Sequence, residues 1–170
     1  MLDTSLYRPK TSRRFQSLME LYEENYRLIR LLIPALRTLE ADLYVSQAKH
    51  ALALELYDIQ QVRYTTTFRL TYRFSEPLDA CEPDLTLRLY HDARTCEVLS
   101  GLLPGVDKKY ARRTRNLDDG YALNRFLNRW LSYCLRQGHS FGKPAAVEVS
   151  SKLLQDAAAA MLEGTTQPQC

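Results

Sequence analysis

Apolar positions recur in three- and four-residue steps near the start of the chain, with Phe15, Leu18, Met19, Tyr22, Tyr26, Ile29 and Ile33 on one stripe. That is the spacing of an amphipathic helix. Leu21, Leu28 and Leu32 widen the stripe, so this helix is expected to pack on a sheet. Ser12 is placed to cap its start, Pro34 closes it, and Glu20, Glu23 and Glu24 precede Arg27 and Arg30 in the order that favours an isolated helix. Past residue 50 the period changes to two. Leu52, Leu54 and Leu56 alternate with Ala51, Ala53 and Glu55, and a polar break follows at residues 58–61. Val62, Tyr64, Thr66, Phe68, Leu70, Tyr72 and Phe74 then take one face, against Arg63, Thr65, Thr67, Arg69, Thr71 and Arg73 on the other. A long strand over residues 62–74, amphipathic at period two, predicts an antiparallel sheet with one face on helices and the other partly wet.

Leu85, Leu87 and Leu89 alternate in the same way, and residues 95–99 return after the turn His91-Asp92-Ala93-Arg94, which predicts a hairpin. Residues 43–48 supply one further short strand, and SEPLDACEPD, residues 75–84, reads as a loop. Asp118 and Asp119 mark a second helix start, and Leu123, Phe126, Leu127, Trp130, Leu131 and Cys134 form its apolar stripe. Arg125, Arg129 and Arg136 are its wet side, and Gly138 is its C-cap. The order of elements predicts one α+β domain over residues 12–138, an antiparallel sheet of four to five strands flanked by an N-terminal and a C-terminal helix. Residues 139–170 form an extension, expected to be helical over 151–162 and frayed at its end. No βαβ alternation occurs, so no dinucleotide crevice is expected.

Composition narrows the classes. The 170 residues are 45% hydrophobic and 25% charged, enough for one core that needs no disulfide or metal. No apolar run approaches the ~20 residues that span a bilayer, and the first residues lack the apolar stretch of a secretory signal. A cytosolic protein is expected. Cys81, Cys96, Cys134 and Cys170 lack metal-ligand spacing, and His50, His91 and His139 are isolated, so no metal or other cofactor is expected. Cys134 fits an apolar helix face as a buried thiol. The formal net charge is only +3, too small for a dedicated nucleic-acid domain, but 17 of the 23 basic residues are Arg, whose planar fork suits phosphate and carboxylate.

Two segments carry candidate chemistry. Arg88-Leu89-Tyr90-His91-Asp92-Ala93 brings together a cation, a phenol, an imidazole and a carboxylate; if the strand runs on to Asp92, Arg88, Tyr90 and Asp92 share a face while His91 points with the leucines. His91 and Asp92 are acid/base candidates beside Arg88, whereas Asp118-Asp119 reads better as a cap than as such a pair; the competing reading pairs Arg88 with Glu97 across the hairpin and binds Asp92 to the turn backbone. Lys108, Lys109, Arg112, Arg113 and Arg115 surround Tyr110 in a loop without acids, a density of like charge that a polyanion such as nucleic acid, a nucleotide phosphate or an acidic partner would neutralise. Arg63, Arg69, Arg73 and Arg88 line up with that loop if the polar sheet face is open. The resulting expectation is a non-catalytic binding or regulatory module for an anionic small molecule or an acidic protein surface. Arg63, Arg88, Arg112, Arg113 and Arg115 would supply the charge, with Lys108 and Lys109 beside them and Tyr90 or Tyr110 stacking. A hydrolase of phosphorylated small molecules using His91 and Asp92, and an adaptor using the Ala-rich tail, are the rivals.

LMELYEENYRLIRLLIP, Arg63-Tyr64-Thr65-Thr66, Arg88-Leu89-Tyr90-His91-Asp92-Ala93 followed by Glu97-Val98, and Asn124-Arg125-Phe126-Leu127 with Trp130-Leu131 and Cys134-Leu135 together resemble the YqiB-like family, small uncharacterised proteins found chiefly in proteobacteria. The resemblance covers about residues 12–138. It implies no activity, cofactor or ligand. The family's genes lie near those for a cyclic-AMP phosphodiesterase and an ADP-ribose pyrophosphatase, which implies a link to nucleotide metabolism or signalling. ARRTRNLDD departs from the family's more Lys- and Gln-rich loop, so no chemistry is carried over there.

Overall fold

A computed structural model describes residues 13–74, 81–102, 112–113 and 117–142, and side chains within 15–74, 82–102 and 117–142. The first apolar stripe forms α1, Arg13–Leu32, which buries Leu18, Leu28, Ile29 and Leu32 and ends before Pro34. The carbonyl of its last residue, Leu32, accepts the N–H of Phe141, 2.7 Å away, and a 3-10 turn, Leu36–Thr38, leads into the sheet. Ser12 lies outside the described residues.

The strands follow in chain order as an antiparallel meander: β1 Leu43–Ser46, β2 Ala53–Val62, β3 Thr65–Arg73, β4 Cys81–Tyr90, β5 Thr95–Leu102 and the two-residue β6 Arg112–Arg113. The antiparallel α+β class is as expected, with β6 added at the far edge. Helix α2, Leu117–Arg136, packs beside α1 on the same sheet face. Its two first-turn acids, Asp118 and Asp119, face the positive end of its dipole. It closes with Gly138 at φ 85°, where His139 N–H reaches Cys134 O and Gly138 N–H reaches Leu135 O, both at 3.0 Å.

Period-two alternation does what it predicted for the core. Leu54, Leu56, Phe68, Leu70, Leu85, Leu87, Leu89, Cys96 and Val98 are fully buried against Ile29, Leu32, Ile33, Leu127, Leu131 and Cys134. Burying each large side chain of this kind contributes about 1.5–3 kcal/mol.

Besides β1 ending at Ser46 rather than at residue 48 and β5 running on to Leu102 rather than stopping at 99, three strand boundaries differ from the pattern. The polar stretch 58–61 is not a break: β2 runs through it with a bulge between Tyr57 and Gln60, where Asp58 takes φ 53°. The strand read as 62–74 begins at Thr65, because Arg63 and Tyr64 are the two-residue turn between β2 and β3, and Val62 and Tyr64 are 68% and 52% exposed. The segment read as a loop over 75–84 is strand from Cys81, paired with Arg73 and carrying a cis Glu82-Pro83 bond. Residues 75–80 and the extension beyond 142 lie outside the described residues, whereas His139 and Phe141 are buried, so packing continues past Gly138.

One polar cluster ties the helices to the sheet. Asn25 and Asn124 are fully buried; Asn25 Nδ2 donates to Asn124 O and Oδ1 at 3.2 and 3.4 Å, and Asn128 Nδ2 donates to Asn25 Oδ1 at 3.1 Å. Beside the irregularity of β5 at Leu99, Val98 N–H donates to Asn124 Oδ1 at 3.2 Å, while Asn124 Nδ2 donates to Gly120 O at 2.8 Å. No helix among the described residues is long and apolar enough to cross a membrane, and no group of three or more His, Cys, Asp or Glu among them is placed to hold a metal ion.

Candidate functional site

Antiparallel register brings two turns to one end of the sheet. Thr65 pairs with Tyr90, so the β2–β3 turn at Arg63-Tyr64 lies beside the β4–β5 turn at His91-Asp92-Ala93-Arg94, and His91 N–H donates to Tyr64 O at 2.8 Å. The second half of α1 and the 3-10 turn reach the same end. Gln61 Nε2 donates to Leu36 O and Leu39 O at 3.3 and 3.1 Å, and an Arg37 guanidinium nitrogen donates to Arg63 O at 3.3 Å, which fixes the 3-10 turn against the β2–β3 turn.

Between these elements lies an open cleft of about 770 Å³. Helix α1 supplies Glu23, Tyr26, Arg27 and Arg30, the i, i+3, i+4, i+7 positions of one helical face. Arg37 enters from the 3-10 turn, and His91, Ala93 and Arg94 from the β4–β5 turn. Arg27 is held by Glu24 through two bonds of 2.6 and 2.9 Å. No acidic side chain among the described residues pairs with Arg30, Arg37 or Arg94. Three guanidiniums from three separate elements thus converge on one volume. Arg94 holds its place in the left-handed backbone region, φ 53°.

His91 sits at the floor, half-buried. Its Nε2 is 2.8 Å from Thr66 Oγ1 on β3, and its Nδ1 is 3.3 Å from Tyr26 Oη on α1, whose ring meets the imidazole edge-on at 6.1 Å. Burial first, and then the charges of Arg37 and Arg30, push its pKa below the ordinary value, against a smaller opposing effect of Asp92. The ring is therefore neutral near pH 7.

The residues singled out in the sequence separate. His91 follows the end of β4 at Tyr90 and turns to the helix-facing side of the sheet, the side of Leu89 and its register partner Thr66, where its ring meets Tyr26 and Thr66 in the cleft. Asp92 is exposed in the same turn and does not line the cleft. Arg63 is at the turn, with its guanidinium over the ring of Tyr64 at 4.9 Å and its carbonyl on Arg37. Arg88 and Tyr90 lie on the outer face of β4. Arg88 stands opposite Glu97 in register, yet its Nε contacts Thr67 Oγ1 at 3.4 Å, and it is Tyr90 Oη that donates to Glu97, at 2.7 Å. On that face Arg69 is paired with Asp84, and Arg73 with Glu55 at 2.7 Å, so two of the four arginines expected in that row are neutralised by their own strands. Arg112 and Arg113 form β6, opposite Gly101 and Ser100; their side chains, and Lys108, Lys109, Tyr110 and Arg115, lie outside the described residues.

Sequence reasoning missed Arg30, Arg37 and Arg94. Arg27 and Arg30 read as helix-stabilising partners of Glu20, Glu23 and Glu24, and Arg94 as a turn residue, while nothing in the pattern singles out Arg37. A weak signal was present in Glu23, Tyr26, Arg27 and Arg30, a polar face at helical spacing on an otherwise buried helix.

Fold and cleft together define a small two-layer α+β protein, both helices on one face of a meander, with an arginine-lined opening at the end of the sheet. The chain belongs to the DUF1249 family, described as a protein of unknown function, whose profile matches residues 27–140. It is similar to the "Uncharacterized protein YqiB" of Escherichia coli strain K12, 29% identical over 130 residues that cover 73% of this chain and 90% of the relative. The proteins of the same name from Escherichia coli O6:H1 and O157:H7 match to the same extent. No solved structure matches significantly. The YqiB-like resemblance is thus borne out, and the matched span takes in Arg27, Arg30, Arg37, His91 and Arg94.

Proposed function

We propose that the protein is a cytosolic binding or regulatory module that holds a compact, multiply charged anion, of the phosphorylated small-molecule class, in the cleft. The observation that carries this reading is the convergence of Arg30, Arg37 and Arg94, none paired with an acid among the described residues, around a neutral His91. Like charges placed together repel, and a shared anion offsets that repulsion through charge-assisted, forked hydrogen bonds. The volume is that of a small-molecule site, and cations that converge on it suit a compact ligand better than a polymer, which needs them spread along a track. Catalysis is less well supported: both ring nitrogens of His91 are engaged by hydroxyls, and Asp92 is outside the lining.

The test is a thermal-shift and calorimetric titration of the full chain with sulfate, tripolyphosphate and nucleoside phosphates at low and high salt. Tripolyphosphate is expected to raise the midpoint by mass action, with the shift reduced by salt and lost in Arg30→Gln/Arg37→Gln. Arg112→Ala/Arg113→Ala should leave it unchanged. A shift that survives in the cleft variant and vanishes in the loop variant moves the site to the basic loop; the absence of a shift with every anion overturns the proposal.

A further inference from the structure

His91 differs from every other lining residue in having two hydroxyl partners and no fixed donor or acceptor. A hydroxyl both gives and takes a hydrogen bond. In the neutral ring one nitrogen carries hydrogen and donates, while the other accepts from its hydroxyl. In the imidazolium both nitrogens donate, and Thr66 Oγ1 at 2.8 Å and Tyr26 Oη at 3.3 Å both accept after a rotation of one O–H bond. No heavy atom need move for the ring to gain a charge.

The groups around the ring come from four directions, three of them charged. Helix α1 presents Glu23, Arg27 and Arg30 together with the Tyr26 phenol, the 3-10 turn presents Arg37, and the ring's own turn presents Asp92 and Arg94. The strand side presents Thr66, which does not titrate. The arginines disfavour a further positive charge beside them. An anion seated among them offsets that field at the ring, and the more negative charge it brings close to the imidazole, the more the protonated form is favoured.

We infer that His91 is the charge-matching residue of the cleft: it takes up a proton when a multiply charged anion binds, adds a further cation to the three arginines that no acid among the described residues pairs, and so biases the site toward ligands with three or more negative charges. The inference rests on the anion-binding reading of the cleft. It assigns His91 a specificity role in place of an acid/base role, and it makes binding and protonation one linked equilibrium.

Naphthalene-1,3,6-trisulfonate is a suitable probe because its charges do not titrate over the range of interest, so any proton exchanged belongs to the protein. Calorimetry of the full chain in buffers of differing ionisation enthalpy should show uptake of a fraction of a proton near neutrality. Affinity should rise as pH falls from about 8 to about 6, by at most about tenfold per unit. His91→Gln keeps a hydrogen-bonding side chain and is expected to bind the probe with no uptake and a flat pH profile, while Glu23→Gln retains the uptake. Ring-nitrogen resonances of ¹⁵N-histidine-labelled wild type give the same answer without a variant, the His91 signals moving to the doubly protonated pattern when the probe is added. Binding without uptake, or uptake that persists in His91→Gln, overturns the inference and leaves the anion site standing. No binding at any pH overturns both.

Discussion

Arg94 occupies a backbone conformation that costs an L residue about 1 kcal/mol, and glycine adopts it freely. A turn under no other demand would favour Gly or Asn at this position, so Arg94 stands against the local preference, which agrees with a role for its guanidinium in the proposed site. Arg94→Gly is therefore expected to leave stability unchanged or raise it by up to about 1 kcal/mol, since relief of strain slightly exceeds the added freedom of the unfolded chain. The same substitution should weaken tripolyphosphate binding several-fold. Chemical denaturation and calorimetry on the one variant check both signs, and a variant that loses stability and keeps affinity would show Arg94 to be structural. The cysteines make a second residue-scale case. Cys96 and Cys134 are buried thiols, and burial raises both pKa values, that of Cys134 to about 11 even though Tyr72 Oη lies 3.2 Å from its sulfur. Since the thiolate is the nucleophile, native protein treated with iodoacetamide near pH 8 should remain unmodified at both positions and react at both once unfolded, as read by peptide mass spectrometry.

At the scale of elements the helices were legible because period 3.6 reports a buried stripe directly, and Leu123, Leu127, Trp130, Leu131 and Cys134 are buried as their spacing requires. Strands were legible only where alternation persists. The β2 bulge at Asp58 and the Arg63-Tyr64 turn escaped notice for one reason: polar residues at an exposed sheet end follow no period, and this two-residue turn contains neither glycine nor asparagine to mark it. Asn25 and Asn124 escaped for the opposite reason, since polar residues on a helix read as wet whereas here they are fully buried and bonded to each other. That network joins α1, α2 and β5 through directional contacts inside an apolar core, where an unmatched group is expensive. Asn124→Ala removes the Oδ1 that accepts from Val98 N–H and Asn25 Nδ2 and the Nδ2 that donates to Gly120 O, while its main-chain carbonyl still accepts from Asn25, and it is expected to lower stability by about 2–3 kcal/mol. Asn128→Ala, which removes one bond from a half-buried side chain, should cost about 1 kcal/mol. Urea denaturation of the two variants separates these values, and equal losses would mean that the network adds nothing beyond pairwise contacts.

For the whole molecule, what sequence could not supply was the meeting of α1, the 3-10 turn and the β4–β5 turn at one end of the sheet, because each arginine is ordinary within its own segment. Their convergence is a property of topology, and it has a counterpart at the other end. There His139 is buried with Nδ1 3.2 Å from Ser46 Oγ, and burial lowers its pKa as it does that of His91. Both histidines are thus held neutral by the fold while the unfolded chain takes up protons near the ordinary value of 6.5. Between that value and the lowered folded values the unfolded state binds more protons, so stability is fully present above the unfolded pKa and is lost as pH falls through the folded ones. Glu24, whose pKa Arg27 lowers, adds its own loss only below the carboxylate value of 4.5, a separate window. The thermal midpoint should therefore fall between about pH 7.5 and about pH 5.5, and His139→Gln and His91→Gln should each flatten part of the slope in variants that remain folded. Tripolyphosphate distinguishes the two ends: an anion in the cleft favours the protonated form of His91 and cancels its part of the acid loss, while His139, remote from the cleft, keeps its own. A wild-type midpoint that falls equally with and without saturating tripolyphosphate would detach the cleft from His91, whereas a slope reduced to that of His91→Gln ties the acid response of the fold to the occupancy of its one arginine-lined opening among the described residues.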